Sequence, residues 1–153
     1  DFRPAFRLAP RLEGGRVGPA VNVQDGVVPR TKLPHMLRFI KGIALKYDIR
    51  IANVFHAGDG NMHPLILFNA NKPGDLEKCE ALGGEILKLC VEVGGCLTGE
   101  HGVGIEKRDL MGVQYSHADM EAQMRVKDGF DRKCLLNPVK VFPLETSAIR
   151  RAS

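Results

Sequence analysis

An α+β fold is predicted for this chain of 153 residues, and three observations predict it. The length suits one domain with a real core. Helical and extended apolar periods alternate along it. Two extended runs, RIANVF and PLILF, are joined by a turn too tight for a parallel crossover, so that pair is antiparallel.

Residues 1–20 are rich in Arg, Pro and Gly and show no sustained period. They read as an irregular lead-in, a truncated piece of a larger protein. The start, Asp1-Phe2-Arg3-Pro4, has neither an initiator Met nor a signal pattern. Val21 to Val28 reads as a short strand ending at Pro29. Thr31 is the expected N-cap of a helix in which Leu33, Leu37, Ile40, Ala44 and Leu45 recur at helical spacing to about Tyr47. Arg50 to Phe55 and Pro64 to Phe68 are strands on either side of Gly58-Asp59-Gly60-Asn61. Asp75 caps a long helix with the stripe Leu76, Cys79, Leu82, Ile86, Leu89, Cys90 and Val93. Within it, Gly83-Gly84 costs about 1 kcal/mol per glycine relative to Ala, which points to a close packing partner there. Gly94-Gly95 ends that helix, Cys96 to Thr98 is extended, and Gly99 to Gly104 is a loop. A last helix, Ala118 to Phe130, starts from Ser116 or His117. Leu135-Leu136-Asn137-Pro138 closes the fold, with 144–153 as a tail.

Composition excludes several classes of function. With 44% hydrophobic and 26% charged residues, the chain is neither fibrous nor disordered throughout. The net charge of +4 sits mostly on the two ends, whereas a nucleic-acid surface belongs on the folded part, so nucleic acid is not an expected partner. No apolar run approaches the roughly 20 residues that cross a bilayer. The 4 cysteines form no CxxC pair and read as free thiols in a reducing, cytoplasmic compartment.

Two clusters carry chemistry. In His56-Ala57-Gly58-Asp59-Gly60-Asn61-Met62-His63, the hairpin places two imidazoles facing each other across its mouth. Directly opposed Cβ atoms there stand roughly 5 Å apart, close enough to hold one metal ion. In Thr98-Gly99-Glu100-His101-Gly102-Val103-Gly104, Glu100 is the candidate third, anionic ligand, since two His and one carboxylate suit Zn²⁺ or another divalent ion. Neighbours in an extended stretch point opposite ways, which leaves His101 free to act as acid or base. Lys107 and Arg108 read as surface or interface residues, Met111, Met120 and Met124 as packing, and Cys79 and Cys90 as core.

Three separated runs, QDGVVPRTKLP, NVFHAGDGNMHPLIL and LTGEHGVGIEKRDLM, resemble the C-terminal part of FAD-linked 2-hydroxy-acid dehydrogenases of the glycolate oxidase type, over residues 21–143. The resemblance implies a ferredoxin-like antiparallel sheet with helices, the latter part of a cap domain that follows an FAD domain. It further implies that His56, His63 and Glu100 ligate a divalent metal, Zn or Mn. His101 would be the base that takes the substrate hydroxyl proton, Asn137 a flavin contact, and Arg3 the grip on the substrate carboxylate. The implied partners are an FAD domain and iron–sulfur subunits, with attachment to the inner membrane only through them. A metal-binding module without the flavin domain, or an inactive fragment, is the alternative. The family pattern FDPxGLLNPGKxFP reads here as FDRKCLLNPVKVFP, so Cys134 and Val139 stand where glycines are usual. If those glycines take positive φ, both replacements strain the backbone, Val139 the more.

Overall fold

The computed structural model describes residues 20–144. The expectations for Arg3, for the lead-in before Ala20 and for the tail beyond Leu144 lie outside them. In chain order the elements are β1 (Ala20–Val23), β2 (Gly26–Val27), α1 (Leu33–Tyr47), β3 (Arg50–His56), β4 (Asn61–Phe68), α2 (Asp75–Glu92), α3 (Met111–Gln114) and α4 (His117–Phe130). All pairings in the sheet are antiparallel, with β4 between β3 on one side and β1 and β2 on the other. The α+β class holds. Taken as one broken strand, β1 and β2 stand beside the third strand in chain order, which also pairs with the second, as in a ferredoxin-like sheet.

The single strand expected over Val21 to Val28 is therefore divided. Val23 faces Leu65 and Gly26 faces Met62, so both pieces keep one register, and the break at Gln24-Asp25 falls opposite His63-Pro64. Gln24 N still donates to Pro64 O at 3.1 Å. Pro64 has no N–H to return, so the ladder cannot close there.

Side chains on β4 alternate, and the alternation sorts the molecule. Met62 and Ile66 turn to one face and pack with Val28, Met36, Ile40, Ile43, Cys79, Leu82, Ile86 and Cys90, so α1 and α2 cover that side. Each fully buried Ile or Leu there contributes about 1.5–3 kcal/mol. Burial pushes the Cys79 thiol up to about 11 and Cys90 to about 12, consistent with inert core cysteines. Asn61 and His63 turn to the opposite face, where the candidate site lies.

Helix ends differ from expectation in two places. Thr31 lies in a 3₁₀ turn, Arg30–Lys32, and α1 starts without a side-chain cap but with Pro in its first turn. Gly74, at φ +84, caps α2, and Asp75 is its first helical residue. Asp75 instead accepts from Asn69 N at 3.3 Å, tying down the preceding turn. Ser116 caps α4 as expected, in a reciprocal box with Asp119. The glycine pair in α2 splits in function. A Cβ on Gly83 would stand 2.6 Å from Gln24 Nε2, whereas one on Gly84 would meet nothing within 4 Å.

A candidate metal and acid–base site

The β3–β4 hairpin builds the first half of the site. Its register sets His56 opposite Asn61 and His63 opposite Val54. The two histidines are thus on a diagonal, not directly opposed. An offset of two residues keeps both on one face, because side-chain direction repeats every second residue. Their ring centroids are 5.4 Å apart, edge to face. The turn between them needs Gly60: it sits at φ +73, and a Cβ there would lie 2.0 Å from Val28 O.

The second half is the segment from Thr98 to His101, laid on the same face. Gly99 permits the approach, since a Cβ on it would stand 2.8 Å from the side-chain atoms of Asn61. The segment bends at Gly99 to His101. Glu100 and His101 consequently do not diverge as an extended stretch would require. Glu100 Oε1 lies 3.1 Å from His63 Nε2, 3.8 Å from His56 Nε2 and 3.9 Å from His101 Nε2. The His101 ring stacks on His63, with centroids 5.1 Å apart and planes 19° from parallel.

One backbone feature decides which nitrogen of His63 faces this cluster. Gln24 O, left without the N–H that Pro64 lacks, has His63 Nδ1 at 3.2 Å. A carbonyl only accepts, so Nδ1 carries the proton and Nε2 presents its lone pair. His63 Nε2 is buried and has no hydrogen-bond partner, its approach to Glu100 notwithstanding. An unsatisfied imidazole nitrogen beside a carboxylate and two further imidazoles fits a divalent cation such as Zn²⁺.

Asp25 is the residue that sequence reasoning passed over. It is fully buried and stands opposite His63 in the strand register. Its carboxylate accepts from Thr98 Oγ1 at 2.7 Å, Gly99 N at 3.0 Å, Glu100 N at 3.1 Å and His101 N at 2.9 Å. Lys107 is 4% exposed, its ammonium 3.3 Å from the same oxygen, which corrects the surface reading of that lysine. Burial alone would raise the Asp25 pKa. The His101 N–H, the Thr98 hydroxyl, the Glu100 N–H and the Lys107 charge outweigh it and hold the carboxyl well below the usual range. For Lys107, burial is the larger effect and lowers its pKa, with Asp25 opposing. One donor atom each from Asp25, His63, Glu100 and His101 lie within 4.8 Å of one another. His56 is not in that group, and Asp25 Oδ2 already accepts from N–H and O–H donors. In the sequence Asp25 lies inside the run Val21 to Val28 that reads as one strand, and nothing there sets it apart as a site residue.

Residues 6–141 match the family described as FAD linked oxidases, C-terminal domain. The chain belongs to this family. It is 52% identical over 129 residues to the glycolate oxidase subunit GlcD of Escherichia coli K12, covering 84% of this chain and 26% of that protein. It is 37% identical over 127 residues to GlcD of Bacillus subtilis, covering 83% of this chain and 27% of that protein. With a D-lactate dehydrogenase of Anaerostipes hadrus it shares 33% over 118 residues, 76% of this chain and 25% of that protein. The chain spans about a quarter of the length of these curated relatives.

In this FAD-linked oxidase C-terminal domain, Asn137 sits on an exposed turn at φ +48, and no hydrogen bond joins its side chain to the histidine cluster among the described residues. Cys134 takes the glycine-like conformation expected of its position, at φ +50. Val139 does not. The β-branched residue at positive φ is Val141, at +74, held by its N–H donating to Gly104 O at 2.8 Å. Arg108 donates to Val139 O at 2.8 Å, so the closing segment is fastened to the stretch that follows His101. Among the described residues, no helix is long and apolar enough to cross a membrane.

Proposed function

We propose that the chain is the substrate- and metal-holding portion of an FAD-dependent 2-hydroxy-acid dehydrogenase of the glycolate oxidase type, with residues 21–143 carrying that role within a longer protein. The observation that supports it most is Glu100 Oε1 set 3.1–3.9 Å from the Nε2 atoms of three histidines. In this reading His56, His63 and Glu100 hold a divalent cation, Zn²⁺ or Mn²⁺. When bound, the cation would lower the pKa of a substrate hydroxyl and fix its position. His101, the most exposed of the three histidines, takes the hydroxyl proton on Nε2 as the 2-hydroxy acid becomes a 2-oxo acid. Its stacking on His63 limits how far the ring turns. FAD supplies the hydride acceptor. The flavin would be held mainly by an FAD domain outside this chain, with Asn137 as a contact from this side and Arg3 on the substrate carboxylate.

Kinship with GlcD and D-lactate dehydrogenase favours glycolate or D-lactate-like acids as substrates. The name of GlcD as a subunit favours partner subunits; in this reading they carry iron–sulfur centres, the setting is cytoplasmic, and any membrane attachment is made through them. Because the chain spans about a quarter of those relatives, a second reading is a metal-binding module without turnover. The two separate on mixing the chain with a separately produced FAD domain of a GlcD relative. Flavin uptake with glycolate-dependent dye reduction supports the enzyme. Metal retention without either leaves only the module.

A further inference from the structure

We infer that Asp25, with Lys107 as its buried counter-charge, is the positioning residue that shapes the metal and base segment. The inference rests on the metal reading above and extends it to two residues that touch no reacting atom. Gly99, Glu100 and His101 supply three consecutive backbone N–H groups, and all three reach one carboxylate oxygen at 2.9–3.1 Å. Consecutive amides converging in this way form a concave nest that needs an anion at its centre. Asp25 is that anion. Thr98 Oγ1 donates to the same oxygen at 2.7 Å, and Lys107 Nζ approaches both that oxygen and Asp25 O.

The same residue reaches the other half of the site. Asp25 lies across the strand register from His63, its Oδ1 3.9 Å from Nδ1, one residue from the Gln24 carbonyl that fixes the His63 tautomer. One buried side chain therefore sets the path of the Glu100-His101 backbone relative to the strand that carries His63. With Asp25 replaced by a neutral amide, the part-buried N–H groups keep an acceptor but lose the anion on which they converge, and Lys107 loses its counter-charge, which together loosen the loop. Glu100 and His101 move with it.

The test uses the 153-residue chain with Asp25→Asn and with Asp25→Asn combined with Lys107→Met. The double variant removes both charges, so it folds without an unpaired lysine. Two readouts are taken. Binding of Mn²⁺ and Zn²⁺ is titrated by calorimetry, and amide exchange is followed residue by residue. The expected result is metal affinity about 10- to 100-fold weaker in the variants. Exchange should quicken at Gly99, Glu100 and His101 by a larger factor than at the α2 amides of Leu82 and Ile86, which follow only the change in global stability. A purely structural role would quicken loop and α2 by the same factor and overturns the proposal. Unprotected loop amides in the parent, or unchanged loop exchange in a folded variant, also overturn it. A parent that takes up neither ion removes the metal reading instead, so the two failures are distinguishable.

Discussion

His63 Nδ1 stands 3.2 Å from the carbonyl oxygen of Gln24, the oxygen that a residue other than Pro64 would serve with its own N–H. The ring repairs a gap that the adjacent proline opens in the ladder. Its other nitrogen is thereby committed to the site as a lone pair. Pro64 contributes to the chemistry by what it withholds.

The first prediction concerns the ligands. His63→Ala should abolish stoichiometric Mn²⁺ or Zn²⁺ uptake, measured by elemental analysis after dialysis, with His56→Ala weakening it. Normal metal content in the His63 variant would show that its buried Nε2 serves something else.

His101→Ala separates binding from proton transfer. Metal affinity should stay within a few-fold of the parent. In an enzyme reconstituted with an FAD domain, turnover should fall by about 10²- to 10⁴-fold, the usual contribution of a positioned base. Retained turnover would move the base to another residue.

Acid should act through Asp25. Its folded pKa lies below the ordinary value of 3.8. The stabilisation is therefore complete above that value and is lost as pH falls through it towards the lower folded value. Comparing the urea midpoints of parent and Asp25→Asn at about pH 6 and about pH 3 should show a gap that narrows in acid. An equal gap at both pH values means that the carboxylate charge is not what holds the loop.

The glycine pair in α2 gives a sharp contrast. Gly84→Ala meets nothing within 4 Å and should stabilise the fold by about 1 kcal/mol in thermal denaturation. Gly83→Ala gains the same helix propensity but drives its methyl against Gln24 Nε2, so the gain should vanish.

Core substitution checks the face assignment. Ile66 has no exposed surface, and Ile66→Ala should cost about 2–5 kcal/mol by urea denaturation, with metal binding retained in the protein that remains folded. Loss of metal at full stability would place Ile66 on the wrong side of the sheet.

Much was legible in the chain because it is local. Apolar period located α1, α2, α4 and the hairpin, and the HAGDGNMH and GEHG runs named the histidines and the glutamate that the structure brings together. The helix starts were misread where a 3₁₀ turn and Gly74 took the roles expected of Thr31 and Asp75. Capping is set by backbone angles, and those depend on how the preceding loop is tied down.

By itself the sequence determined the class of fold, the antiparallel hairpin and the donor types available for a cation, all properties of neighbours within a few residues. Tertiary structure alone decided that His56 and His63 meet on a diagonal. It also turned Glu100 and His101 to a common point, and brought Asp25 and Lys107, 82 positions apart, into one buried pair. The reason is physical: a strand's register and a loop's path depend on hydrogen bonds between distant segments, and composition carries no record of which donor finds which acceptor.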